Sequence, residues 1–300
     1  MWILIGVIIA IVLIFIGLEI WRELHMFQVS HFLVASNKLK SWQKEKRIVL
    51  LADLHNKVYG NQNDILLQAI KEEHPDLILI AGDMLVGKPG CSPQVAVDFV
   101  TKLPDICPVY YGNGNHEQRM KEKPEKYGDV YAVYKKELVK SGVHLLENTT
   151  ESVNLDGVQL EIRSIELPMH YYEKFQKHVL SLSEVTKCIG LPDASKYQIV
   201  ISHNPAFLEV IKKWGADLIV SGHLHGGIIR IPGLGGLITP QAKLFPENSG
   251  GITIASDARY VVSRGLGTHT VNIRLFNKAE VVTIHLRESW EGHEMGRRDN

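Results

Sequence analysis

Cysteine is scarce. Cys91, Cys107 and Cys188 are odd in number, far apart and in no metal-binding spacing. That pattern excludes a disulfide framework and a cysteine-built zinc site, and it fits a reducing compartment. A surplus of one charge is also missing, because Lys+Arg and Asp+Glu number 33 each. No nucleic-acid partner is expected from such a balance. Internal repeats and low-complexity tracts are absent, which sets aside solenoids and long disordered linkers. Charge is absent altogether from Met1 to Leu18, a run of mostly Ile, Leu, Val and Phe that ends at Glu19. About 20 residues of helix span the roughly 30 Å hydrocarbon layer of a bilayer. The run has no basic start, no small-residue cleavage site near residue 20 and no twin-arginine signal, so an anchor is favoured over a cleaved leader. It has no polar face either, which disfavours a core helix of a soluble protein. No Lys or Arg precedes it, whereas Arg22, Lys38, Lys40, Lys44, Lys46 and Arg47 follow. The positive-inside rule then predicts a single-pass cell-membrane protein with its carboxy-terminal bulk in the cytoplasm.

What is present is an ample core and many histidines. With 45% apolar residues in 300, the chain suits one large domain plus an appendage. The expected division is a transmembrane helix over 1–21, a juxtamembrane connector over 22–46, a domain over 47–286 and a polar tail over 287–300. Within the domain, apolar runs at 48–51, 77–81, 108–111, 197–201 and 216–220 read as short buried strands. Helical spacing is predicted over 63–73, 93–103 and 127–139. Val153 to Ile165 alternates around Asp156-Gly157, a hairpin signal. Five later segments, 228–231, 251–254, 260–263, 271–276 and 281–286, predict a second sheet packed on the first. The class is α/β, with the site along the carboxyl ends of the strands.

Each buried strand runs into a polar loop. In order, the loops offer Asp53 and His55, then Asp83, then Asn115 and His116, then His203, then His223 and His225. The last pair lies in Ser221-Gly222-His223-Leu224-His225-Gly226-Gly227, where the glycines admit a close approach of the backbone. Carboxylates, imidazoles and one amide oxygen form a mixed nitrogen and oxygen set suited to Mn, Fe or Zn. Any single member is weak evidence, since a lone histidine is more often a hydrogen-bonded residue than a ligand. Five loops in one order, each at a strand end, outweigh that reading. The number of donors exceeds what one tetrahedral ion needs, so two ions sharing a carboxylate is the economical arrangement.

Asp53-Leu54-His55, Gly82-Asp83, Gly114-Asn115-His116-Glu117, Ser202-His203 and Gly222-His223-Leu224-His225 resemble the five signature blocks of the calcineurin-like metallophosphoesterases. The resemblance covers about residues 47–286. It implies a four-layer α-β-β-α sandwich, here preceded by one transmembrane helix. It also implies one ion held by Asp53, His55, Asp83 and His225, and a second held by Asp83, Asn115, His203 and His223. His116 is implied as general acid or transition-state donor rather than ligand. Two such ions activate a water for in-line attack on phosphorus, and a positioned proton donor contributes about 10²–10⁴-fold. Arg119, three residues beyond His116, is a candidate for gripping a substrate phosphate, with a solvated loop charge the favoured alternative, and Glu117 is given no chemistry.

The anchor followed by KRIVLLADLHN is similar to the membrane-associated phosphodiesterase branch, which includes enzymes acting on UDP-2,3-diacylglucosamine. A lipid-linked or envelope-precursor phosphodiester or pyrophosphate is the substrate this predicts. Two segments, 167–191 and 228–245, are candidates for apolar walls near the site, with simple packing on the sandwich an equal alternative. A metal-bound scaffold without catalysis is the rival from another class, and the complete donor set disfavours it. A phosphoprotein phosphatase is a further rival, for which no additional motif speaks.

Overall fold

The computed structural model describes residues 1–40, 42, 44–173, 176, 178–231, 233–239, 244–256, 258–268 and 271–289. The expected tail beyond 289 lies outside the described residues. Helix α1 (Trp2–His25) is long and apolar enough to cross a membrane by length and composition, with none of its apolar window buried. It passes through Met26 directly into strand β1 (Phe27–Ser36). The connector drawn over 22–46 is therefore corrected for its first half. Ser30, Phe32 and Val34 alternate into the interior, and β1 lies parallel to a partner about 250 residues away. Pairing at that separation leaves no local trace in the sequence.

Strand β2 (Lys46–Leu51), α2 (Asp64–Glu72), β3 (Leu77–Ile80), α3 (Gln94–Val100) and β4 (Val109–Gly112) follow the predicted alternation. After them come α4 (Asn115–Glu122), α5 (Pro124–Tyr127), α6 (Val130–Lys140) and β5 (His144–Leu146). The single helix expected over 127–139 thus begins at Val130, because Gly128 at φ 64° ends the short turn before it. The hairpin is β6 (Thr150–Leu155) and β7 (Val158–Ile165), antiparallel about Asp156-Gly157. Then come α7 (Leu182–Ile189), β8 (Tyr197–Ser202), α8 (Leu208–Trp214) and β9 (Leu218–Ser221). The chain continues through β10 (Ile229–Ile231), β11 (Gly235–Ile238), β12 (Gly251–Ala255), β13 (Ala258–Val262) and β14 (Ala279–Glu288).

Two six-stranded sheets result, ordered β1-β14-β2-β3-β4-β5 and β12-β13-β9-β8-β7-β6, beside a β10-β11 hairpin. Three expectations for the late segments are corrected. Segment 228–231 pairs with β11 in the separate hairpin rather than joining the second sheet. Strand β14 joins the first sheet, antiparallel to β2, and 271–276 forms no strand but a single bridge from Leu275 to Ile229. Period-two alternation sets the layers. Ile48 and Leu50 face the second sheet, meeting Ile199, Ile201 and Val220, while Val49 and Leu51 face α2, α3 and α6. On the far side, Val200 and Ile219 pack under α7 and α8. Each of these buried side chains contributes roughly 1.5–3 kcal/mol. The architecture is the mixed α/β, four-layer sandwich that the sequence predicts. All four layers leave the ends of β2, β3, β4, β8 and β9 gathered at one edge.

Candidate metal centre

The loops at that edge are bent so that their side chains converge. Asp53, His55, Asp83, His223 and His225 all have positive φ, between 47° and 74°. Left-handed backbone is unfavourable for such residues and persists only where the surroundings impose it. Here the imposing contacts are between loops. The N–H groups of Asp53 and His55 donate to the carbonyls of Gly82 and Asp83, at 3.0 and 3.1 Å. Gly222 and Gly114 are required by close approach, since a Cβ would stand 2.4 Å from Asp53 Oδ2 at the first and 2.2 Å from Asp83 Oδ1 at the second.

The structure brings together all eight residues predicted from the sequence. Asp83 Oδ2 lies 3.2 Å from His203 Nε2, 3.8 Å from His55 Nε2 and 4.0 Å from His116 Nε2. Asp53 Oδ1 lies 3.5 Å from His225 Nε2 and 3.9 Å from His55 Nε2. Asn115 Oδ1 is 3.3 Å from His203 Nε2, and His55 and His225 bring their Nε2 atoms to 3.2 Å. The rings of His203 and His223 meet edge to face at 5.0 Å. Asp53, His55 and His225 form one group of potential ligand atoms within 4.8 Å of one another. Asp83, His203 and His223 form another, and His55, Asp83 and His116 a third. All eight side chains are buried.

Tautomers divide the histidines. Nδ1 of His55, His203 and His225 faces the carbonyls of Leu85, Ala81 and Gly267, at 3.3, 2.6 and 3.0 Å. A carbonyl only accepts, so Nδ1 carries the proton and Nε2 presents a lone pair to the carboxylates. His116 is the reverse. Its Nδ1 accepts the Gly87 N–H at 2.8 Å, which leaves the neutral ring's proton on Nε2, pointing at Asp83. Distance alone admits His116 as a ligand; its tautomer makes it a donor.

Electrostatics ask for positive charge at the centre. Burial pushes Asp53 up to about 7, against the pull of His203. Asp83 is equally buried, yet the charges of His203, His116 and His55 hold it well below the usual carboxylate range. His203 is pushed up to about 10, its burial being outweighed by Asp83. The inward lone pairs, the two carboxylates and the Asn115 oxygen form a donor set that fits divalent metal ions.

Three residues the sequence reading left without a role support this set. Glu117 is fully buried and accepts from the N–H groups of Asp83, Met84 and Gly114, at 2.9, 3.0 and 3.0 Å, and from the Tyr111 hydroxyl. It ties the Asp83 loop to the Asn115 loop. Its place three residues after Gly114 is capping-box spacing, a signal present in the sequence. Arg274 is buried and donates to the carbonyls of Arg264, Gly265 and Gly267, the last of which also orients His225. Asn277 donates through Nδ2 to the carbonyls of His225 and Gly227. Neither of these two carries a sequence signal. Arg119 sits one turn after His116 with its guanidinium 3.4 Å from the Gly87 carbonyl. Within 167–191, the Tyr172 ring stands 5.4 Å from His223 and 6.2 Å from His203, beside the site, while Phe175 lies outside the described residues.

Comparison with known proteins agrees with this geometry. The family model described as calcineurin-like phosphoesterase matches residues 46–227. An uncharacterised metallophosphoesterase of Bacillus subtilis, YkuE, is 26% identical, with 91% of this chain and 90% of that protein covered. The phosphodiesterase YaeI of Escherichia coli is 24% identical, covering 80% and 82%. The UDP-2,3-diacylglucosamine pyrophosphatase LpxG of Chlamydia muridarum is 24% identical, covering 78% and 82%. The chain belongs to the calcineurin-like phosphoesterase family and is a metal-dependent phosphoric ester hydrolase.

Proposed function

We propose that the chain hydrolyses a phosphodiester or pyrophosphate whose leaving or retained group is lipid-linked. Asp53, His55, Asp83 and His225 would hold one divalent ion, and Asp83, Asn115, His203 and His223 the other, with Asp83 shared. When bound, the pair of ions supplies Lewis acidity, activating a water and neutralising charge on the phosphoryl group. The chain's own residues do the rest. His55, His203 and His225 keep their Nε2 lone pairs inward because backbone carbonyls hold their Nδ1 protons. His116 keeps a proton on Nε2 because Gly87 N–H occupies its Nδ1. As the phosphorus–oxygen bond to the leaving group breaks, the Nε2–H of His116 would donate a hydrogen bond to the negative charge that develops on the phosphoryl and leaving oxygens, the ring keeping its proton. Arg119, one helical turn away, would pair with a phosphate oxygen. The hydrogen bond from Gly87 N–H to His116 Nδ1, opposite in sense to those of the other histidines, is the observation that carries this reading.

Support for the lipid-linked class comes from α1, uncharged from Trp2 to Leu18, and from the likeness to LpxG. The helix would anchor the chain in the cell membrane, with the basic residues after it placing the hydrolase domain in the cytoplasm. The test is turnover of bis-p-nitrophenyl phosphate by the full chain in detergent. Mn²⁺-dependent hydrolysis that stops on chelation is expected. Absence of turnover with Mn²⁺, Fe²⁺ and Zn²⁺, although metal is bound, contradicts the reading.

A further inference from the structure

The last turn of α1 is tied to the metal centre. Glu23 is 2% exposed, and its Oε2 accepts the backbone N–H of Asn277 at 2.6 Å. The side chain of the same Asn277 donates to the carbonyls of His225 and Gly227, the first at 2.7 Å. One residue therefore joins the end of the apolar helix to the turn that carries His223 and His225.

Beside this junction lies a layer with unusual exposure. Hairpin β10-β11 is joined to 273–276 by the Ile229–Leu275 bridge and by Leu275 N–H to Ile228 O at 3.1 Å. On its other edge Leu244 bridges Ile238, and Phe245 N–H meets Leu237 O at 2.9 Å. Leu234 at the hairpin tip is 73% exposed, Leu244 61%, Phe245 60% and Phe276 44%. Single exposed apolar residues are ordinary, but several carried by one backbone-paired layer mark an interaction surface. No carboxylate occurs from His225 to Pro246 or from Leu266 to Ala279, while Arg230 and Lys278 do. Arg22 and Lys278 line a recess at the end of α1 together with Glu23, whose carboxylate is engaged by the Asn277 N–H.

We propose that this layer, the described part of 228–245 with 273–276, is a bilayer-contacting surface held at the membrane by the Glu23–Asn277 junction. Its occupant is an anionic lipid surface, recognised by apolar insertion and by the acid-free rim. The metal centre would then take its ester from the membrane plane, with the apolar part of the substrate remaining in lipid. This deepens the proposed function and rests on its reading of α1 as an anchor.

The test uses the full chain in vesicles of phosphatidylcholine and phosphatidylglycerol with brominated acyl chains. Leu234→Trp and Phe245→Trp should each add quenched fluorescence to that of the unsubstituted chain, whereas Val139→Trp, an exposed control on α6, should add fluorescence that stays unquenched. Equal quenching at all three positions, or a change of oligomeric state with no difference in quenching, overturns the proposal. The paired variant Leu234→Asp/Phe245→Asp should hydrolyse a vesicle-embedded phosphodiester about tenfold or more slowly, with bis-p-nitrophenyl phosphate turnover unchanged. A fall on both esters alike, or on neither, also overturns it. An unsubstituted chain silent on both esters contradicts the hydrolase reading instead, and quenching alone then decides the surface.

Discussion

The two sheets contribute unlike halves of the site. Loops after β2, β3 and β4 supply both carboxylates, the Asn115 amide and the proton-bearing His116. Loops after β8 and β9 supply His203, His223 and His225 and no carboxylate. The second half also takes its orientation from the first. His203 is held by the Ala81 carbonyl, and the His223 N–H meets both Asp53 oxygens at 3.1 and 3.0 Å. Neither sheet carries a site alone. Docking them through Ile48, Leu50, Ile199 and Val220 is what assembles it.

Asp83→Asn attacks the join itself, because Asp83 faces histidines from both halves. Turnover should fall by at least about 10³-fold, with metal content below two ions per chain. Retained turnover would mean that the halves act independently. Glu117→Gln acts within the first half only, placing an amide N–H₂ among N–H donors. We expect a loss of about 10–100-fold in turnover and about 1–3 kcal/mol in stability, read by steady-state kinetics and denaturant titration. A variant as stable and active as the parent would remove Glu117 from the account.

A contrast outside the site sharpens the comparison. Glu147 is partly buried, which alone would raise its pKa, yet Lys121, Lys135 and Tyr131 hold its carboxyl down to about 2. A lowered folded-state value means stability fully present above the ordinary 4.5 and lost as pH falls toward 2. About 1–2 kcal/mol is expected after allowing for solvent screening. Glu147→Gln should flatten the pH dependence of stability in that window while leaving turnover near neutrality unchanged. An unaltered profile would show that the cluster contributes nothing measurable.

Much of this was legible in the sequence because local patterns carried it. Short apolar runs ending in Asp, Asn and His announced both the strands and the donors. The Asp156-Gly157 turn placed its hairpin to the residue. Strand β1 was illegible because its partner lies at 279–288, and its mixed Phe-Gln-Val-Ser-His run has no strong period. The helix at Leu208–Trp214 was missed because its seven residues follow a Pro205 turn rather than a long periodic stretch. Arg274 and Asn277 were invisible for another reason. Their work is to satisfy carbonyls of the Arg264–Gly267 and His225–Gly227 turns, and carbonyls leave no mark in a sequence. The tautomers were invisible likewise, since Gly87 and Leu85 act through main-chain atoms.

The central claim is that His116 bears a proton while its neighbours bear metal. His116→Ala in the full chain, measured for bound Mn²⁺ and for bis-p-nitrophenyl phosphate turnover on the same sample, tests it most directly. Two ions per chain with turnover down about 10²–10⁴-fold is the predicted result. Loss of an ion, or turnover that survives the substitution, would contradict it.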